Sequence, residues 1–498
     1  MNFKYGIDQL SITHLQGLLD DTETGILTDT VKEQIIRSRK RVDHLAAQEK
    51  AVYGINTGFG PLCDTKISAS QTSQLQTNLL ISHAVGVGDP IDPRLSKLMM
   101  ICKVHALSQG YSGIHLELVE RILYFIEHNL CPLVPSQGSV GASGDLAPLS
   151  HLFLPLIGEG EFLIDGKIVP AAQVLQQHGL KKLSLQAKEG LALINGTQFI
   201  LAHAIHGLSK MDYLLDLADL AGAMSLEGYQ GSASPFKEEL HNIRPFSGNK
   251  IVAARLRGFL AGSKNLESHI NCMRVQDPYS IRCMPQVHGA SRAAHQHLLD
   301  LATIEMNSVT DNPIIISETS AISGGNFHGQ PLAMALDYAT LAASELGNIS
   351  DRRSYLLLEG QYGLPRLLTE KGGLNSGYMI PQYTTAALVT ENKSLCFPPS
   401  ADSIPTSLGQ EDHVSMGSIS GRQFCQVLEN VEKILAIELM YAAQAMDFRR
   451  PNTFSDILEY NHKLIRTKVP KLEDDRLLKD DISAMIQLVK SLAFKTNI

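Results

Sequence analysis

The chain has no tryptophan, and only 19% of its 498 residues are charged, against roughly 25% in ordinary soluble domains. A chain of this length buries a sizeable core without staples. So few charges imply that much surface is hidden, in its own core or against partner subunits. Lys and Arg number 43 against 51 Asp and Glu, a formal net charge of −8, so the basic face of a nucleic-acid binder is missing. Cysteine is sparse: Cys63, Cys102, Cys131, Cys272, Cys283, Cys396 and Cys425 are scattered, with no Cys-x-x-Cys spacing. That pattern excludes a disulfide framework or a zinc knuckle and fits reduced, mostly buried thiols in a cytosolic protein. No apolar run reaches the roughly 18 residues of a membrane span. Met1 to Asp20 lacks a basic segment followed by an apolar one. A cytoplasmic location is expected.

Familiar catalytic signatures are missing too. There is no Gly-x-x-x-x-Gly-Lys phosphate loop, and Gly86-Val-Gly88 lacks the third glycine of a dinucleotide fingerprint. There is no His-Glu-x-x-His, and His295 and His297, two apart on an expected helix, point to different faces. No metal is expected. Gly141-Ala-Ser-Gly-Asp145 is not a nucleophile elbow, because Asp145 stands where the last glycine belongs and no strand leads into it. A serine hydrolase built on Ser143 is therefore disfavoured.

What is present is mostly helical periodicity. Leu201, Ile205, Leu208 and Leu215 recur at helical spacing after a start near Asn195. Val427, Leu428, Val431, Ile434 and Leu435 repeat the pattern after Glu411. Leu332 to Leu346 is apolar or small nearly all round, which predicts a helix buried on most sides. Strand signals are few. Phe162 to Val169 reads as a hairpin turning at Asp165-Gly166, and Pro313 to Ser317 as a short extended piece. No βαβ rhythm appears, so a doubly wound fold is excluded. The segment before about Gly190 reads as broken and loop-rich. The expectation is a mainly α protein with two domains, 1–194 and a long-helix bundle over 195–498.

The most informative stretch is Gly138-Ser-Val-Gly-Ala-Ser-Gly-Asp-Leu-Ala-Pro-Leu-Ser-His151. One reading is a flexible loop opening a helix, with Ser143 or Asp145 as the N-cap. The other is that the backbone reacts. Attack of the Gly144 nitrogen on the Ala142 carbonyl carbon closes a five-membered ring, and loss of two waters, one carrying off the Ser143 hydroxyl, leaves an exocyclic methylene. Glycine allows the close approach, alanine leaves the carbonyl uncrowded, and serine supplies the hydroxyl.

In this setting Ala142-Ser143-Gly144 resembles the autocatalytic 4-methylidene-imidazol-5-one (MIO) of the aromatic amino acid ammonia-lyases. Other segments resemble that family in order. They are Tyr53-Gly-Ile-Asn-Thr-Gly-Phe-Gly60, Gly190-Leu-Ala-Leu-Ile-Asn-Gly-Thr197, Gln276-Asp-Pro-Tyr-Ser-Ile-Arg-Cys283, Thr310 to Pro313, Gly324 to His328, and Gln410 to Met416. The resemblance runs from about Tyr53 to Arg449. It implies the fumarase/aspartase-like helix bundle, an MIO-bearing N-terminal domain, and a homotetramer whose active sites combine loops from three chains. It also implies roles. The methylidene from Ser143 would be the electrophile and Tyr53 the base for the substrate's β-proton, with a depressed pKa. Arg282 would hold the carboxylate, and Asn195 and Tyr279, with Gln276 in the same motif, would orient the substrate. Phe327 would pack on the ring system. Ser82-His83 and Gln410-Glu411-Asp412-His413 put polar, ionisable groups where the side chain would sit. A carboxylate opposite an imidazole makes a charge-assisted hydrogen bond, whereas opposite a phenyl ring it is left unpaired. The resemblance is therefore to the histidine-acting branch, with L-histidine as substrate and trans-urocanate and ammonia as products; a tyrosine ammonia-lyase or aromatic aminomutase is the alternative. Singly, Tyr53, Tyr279 and Arg282 read equally as loop residues, and Glu411 as a first-turn helix residue. The residues alone give no physical account of His288.

Overall fold

Apolar residues at helical spacing build helices long enough to bury one another. Four dominate: Gln198–Tyr229, Met284–Met306, Gln330–Leu358 and Gly417–Asp447, of 32, 23, 29 and 31 residues. The computed structural model describes residues 2–48, 51–62, 65, 67–270 and 274–498; Cys63 and Cys272 lie outside these residues. The fold is mainly α, as expected. Strands are two to four residues long and pair into small sheets. The expected hairpin is present: Glu161–Ile164 pairs antiparallel with Lys167–Pro170, with Phe162 opposite Val169. Asp165 and Gly166 both have positive φ, 48° and 74°, as the tight hairpin turn requires. Ile314–Ile315 supplies the other expected extended piece.

The region before Gly190 is more helical than its composition suggests. It contains Asp29–Ala46, Thr72–His83, Pro93–Ser108 and Leu116–Glu127. Pro93–Ser108 is buried along nearly its whole length, so it shows no polar stripe for a periodicity argument to find. Its start is well marked: the Asp92 carboxylate accepts from Arg94 N at 2.7 Å, and Pro93 occupies the first helical position.

The chain forms two compact units. The first comprises Met1–His206, Leu299–Leu336 and Pro398–Arg422; the second comprises Gly207–Leu298, Asp337–Phe397 and Gln423–Ile498. The core of the second unit carries a buried polar cluster. The Arg353 guanidinium makes a two-point contact with Glu438, and Glu438 also accepts from Ser225 Oγ at 2.7 Å. His288 completes it. Its Nδ1–H donates to Asp219 at 2.8 Å while its Nε2 accepts from Arg353 at 3.4 Å. His288 is thus a neutral, fully satisfied core histidine; burial holds it below the ordinary value, against the pull of Asp219.

The helix containing Leu332 to Leu346 is buried on most sides, but Met334, Tyr338 and Leu341 form an exposed apolar stripe, 61%, 48% and 52% accessible. No helix among the described residues is long and apolar enough to cross a membrane. The described cysteines, Cys102, Cys131, Cys283, Cys396 and Cys425, are all unbridged, the first two buried.

Buried imidazoles make the first unit acid-sensitive. Burial pushes His105 and His203 down to about 4. Unfolded histidine takes up its proton near pH ~6.5, so this contribution to stability is complete above that pH and is lost as pH falls toward 4. The melting temperature should therefore drop across this window, and the drop should flatten in a His105→Gln/His203→Gln double variant. An unchanged slope in a thermal-melt pH series would contradict this.

Candidate active site

The site starts from glycines that let two backbones touch. Gly144 has φ +75°, and a Cβ there would lie 2.2 Å from the Gly196 carbonyl oxygen. Gly141, at φ +66°, would bring a Cβ to 2.2 Å from Ser415 Oγ. Only glycine fits either position. Asp145 N–H donates to the Gly196 carbonyl at 2.7 Å. The Asp145 carboxylate accepts from the Phe199 and Ile200 amides, each at 3.0 Å, and from Ser139 Oγ at 3.2 Å. Asp145 precedes the helix Leu146–Phe153, but its side chain makes no cap there. It caps the Gln198 helix instead, which corrects the simple N-cap reading. Burial pushes this carboxyl up to about 7, against those hydrogen bonds.

Ser143 is held from two sides. Its carbonyl accepts from Asn195 Nδ2 at 2.6 Å, and its hydroxyl donates to Glu411 Oε1 at 2.6 Å. Asn195 is the residue after the short helix Glu189–Ile194; its Oδ1 is buried with no hydrogen-bond partner among the described residues. Glu411 Oε2 accepts from Thr406 Oγ1 at 3.0 Å and Ser407 Oγ at 2.8 Å. Glu411 is a loop residue rather than a first-turn helix residue, since the helix begins at Gly417. His83 ends the helix Thr72–His83, with Nδ1 3.0 Å from Ser82 Oγ. Burial holds its imidazole below the ordinary value, opposed by the Leu79 carbonyl and the Glu411 charge.

These groups line one cavity of about 1170 Å³ in the first unit. Tyr53, His83, Ala142, Ser143, Asn195, Phe327 and Glu411 all contribute to its wall. The Tyr53 ring meets Phe59 edge-on, with centroids 6.5 Å apart. The loop bearing Phe327 is tied at its start by Asn312, which donates to Ser323 Oγ at 3.0 Å and accepts from Gly324 N at 2.7 Å. The cavity thus combines an open amide oxygen, a carboxylate and an imidazole around a serine in a glycine-permitted turn. That set can bind an ammonium group and a polar side chain of a small molecule.

Gln276, Tyr279 and Arg282 do not line this cavity. They belong to the second unit, where Gln276 and Arg282 line a separate cavity of about 1000 Å³. Tyr279 is 70% exposed, and the Arg282 guanidinium sits 4.7 Å over its ring. Arg282 Nε is buried without a hydrogen-bond partner among the described residues. No cluster of three or more His, Cys, Asp or Glu suited to a metal occurs among the described residues.

Sequence reasoning missed three parts of the site. Thr406 and Ser407 hold Glu411; their only signal is proximity in the chain. His328 and His413 both lie in motifs that the sequence singled out, but their pairing was not read: His328 Nε2 lies 3.2 Å from His413 Nδ1 on the cavity wall. Lys103 Nζ donates to the Asn195 carbonyl at 2.7 Å, and a lysine set in the apolar run Leu98 to Leu107 was the signal available.

The sequence profile described as aromatic amino acid lyase matches residues 10–467. The chain is 46% identical to a histidine ammonia-lyase of Stigmatella aurantiaca, covering 97% of this chain and 95% of that one. The structure of a histidine ammonia-lyase from Trypanosoma cruzi superposes with a TM-score of 0.90 at 41% identity, covering 99% of this chain and 94% of that one. A tyrosine aminomutase from Streptomyces globisporus superposes with a TM-score of 0.93 at 33% identity, covering 99% and 98%.

The Asp145 cap is directly testable. Asp145→Ala leaves two helix-start amides without their acceptor and should lower the unfolding free energy by about 0.5–2 kcal/mol. Asp145→Asn, which keeps an acceptor oxygen, should recover much of that loss in denaturant titration.

Proposed function

We propose, for a chain that belongs to the aromatic amino acid lyase family, that it deaminates L-histidine without oxidation, giving trans-urocanate and ammonia. The observation that carries this reading is Glu411, a carboxylate held at Ser143 on the wall of the cavity that His83 also lines. A substrate imidazole can donate its ring N–H to that carboxylate; a phenyl ring leaves it unpaired.

The Ala142-Ser143-Gly144 turn fits the MIO group: Gly144 and Gly141 leave no room for side chains, and Asn195 already donates to the Ser143 carbonyl. Once formed, the group supplies an electrophile that turns the substrate's amine into a better leaving group. The rest falls to ordinary side chains. The open Oδ1 of Asn195 accepts from the substrate's amine. Glu411 and His83 orient the imidazole, and Phe327 packs beside it. Tyr53 takes the β-proton on its oxygen. Arg282 holds the carboxylate with bidentate geometry, with Tyr279 and Gln276 beside it.

The last three residues belong to the second unit and are not among those lining the Ser143 cavity; on this reading a second copy of the chain delivers them. The exposed stripe of Met334, Tyr338 and Leu341 supports a homotetramer with shared sites. The scattered cysteines, unbridged among the described residues, support a cytoplasmic location.

Near-UV detection of urocanate tests the activity. The parent should release urocanate from histidine and lose two waters in intact mass; Ser143→Ala should do neither. Ammonia release from tyrosine but not histidine would instead favour the tyrosine ammonia-lyase or aminomutase reading. Glu411→Ala should lower kcat/KM about tenfold to a hundredfold, the worth of a hydrogen bond to a charged group. Shared sites predict complementation: co-expressed Ser143→Ala and Arg282→Ala chains, each inactive alone, should regain activity in mixed tetramers. Failure to regain any activity in assembled mixed tetramers would remove the shared-site reading.

A further inference from the structure

Lys103 is the buried cation whose place in the site has no obvious structural excuse. It lies on the helix Pro93–Ser108 among Met99, Met100, Ile101 and Val104, all fully buried, and is itself 1% exposed. A lysine so placed is normally matched by a carboxylate. The nearby carboxylates are already engaged. Asp311 accepts from Lys188 Nζ at 2.6 Å and Ser112 Oγ at 2.9 Å. Asp145 is bound to the Phe199 and Ile200 amides. Lys103 instead donates to a neutral acceptor, the Asn195 carbonyl, at 2.7 Å.

That acceptor is a particular one. Asn195 ends the short helix Glu189–Ile194, where terminal carbonyls lack intrahelical donors and a lysine satisfies one. The same residue's side chain donates to the Ser143 carbonyl at 2.6 Å. The next carbonyl, Gly196, accepts from Asp145 N. Residues 195 and 196 are thus held by Lys103 on one side and hold the Ala142-Ser143-Gly144 turn on the other.

We propose that Lys103 is a positioning residue: by fixing the Asn195 peptide it aims the Asn195 carboxamide at the Ser143 carbonyl, and so sets the turn from which the ring closes and against which substrate is held. Burial lowers the Lys103 amine to about 7. An amine and an ammonium both carry N–H, so the bond to Asn195 persists in either state. The proposal rests on the ring-forming reading given above.

The test compares the parent with Lys103→Met, Lys103→Gln and Lys103→Arg in the full-length protein. Methionine matches the length of the stem and removes the buried charge, which favours retention of the fold; glutamine serves if methionine is not tolerated. The readouts are the fraction of chains lighter by two waters in intact mass, and kcat and KM per matured chain. The expected result for Lys103→Met is incomplete water loss, or a kcat lower by about tenfold to a hundredfold with KM nearly unchanged, the cost of a slightly misplaced group. Lys103→Arg, which keeps a donor, should recover both. A folded Lys103→Met or Lys103→Gln that matures fully and turns over like the parent overturns the role of Lys103. A parent that keeps both waters overturns the ring-forming reading itself.

Discussion

The structure depends on a contact in which two backbone stretches approach too closely for side chains. Gly144 lies against the carbonyl of Gly196, and directed hydrogen bonds surround that contact. Asp145 N bonds to Gly196, the Asp145 carboxylate caps the 32-residue helix from Gln198, and the Asn195 amide reaches the Ser143 carbonyl. Each hydrogen bond is worth only about 1 kcal/mol. Their value lies in direction: they fix the orientation of one tripeptide against the start of one of the longest rigid elements in the chain.

Charge is scarce in this chain, and part of it is buried. Arg353, Glu438, His288 and Asp219 form a satisfied cluster in the second unit, and Lys188 and Asp311 a pair in the first. Buried ion pairs add little net stability over apolar packing, but breaking one leaves a costly orphan. Such clusters therefore punish wrong alignments of helices whose apolar faces, rich in alanine and leucine, would otherwise slide. The low charge also leaves apolar side chains at the surface, as along Met334, Tyr338 and Leu341.

Much of this was legible from residue order. The hairpin at Asp165-Gly166 and the long apolar helices follow from periodicity and turn chemistry, because local pattern decides them. The glycine-serine turn and Glu411 stood out because their residue types are odd for a core. Other features depend on partners far along the chain. Asp145 looks like the cap of the helix it precedes, yet it caps one that starts 53 residues later. Glu411 looks like a first-turn residue, yet it sits in a loop held by Thr406 and Ser407. The helix Pro93–Ser108 is buried on all sides, so the polar stripe that periodicity needs does not exist. The motif Gln276 to Arg282 was readable as a motif, but not that its glutamine and arginine line a cavity of the second unit.

The bond from the Ser143 hydroxyl to Glu411 Oε1 has a temporal meaning. While that hydroxyl is present, one carboxylate oxygen faces the serine and the other is tied to Thr406 and Ser407. On the proposed chemistry, the hydroxyl departs as water and Oε1 is left open toward the cavity. On that chemistry the newly folded chain would be a zymogen that needs no protease, because the event that creates its reactive group would also unblock the carboxylate proposed for the substrate.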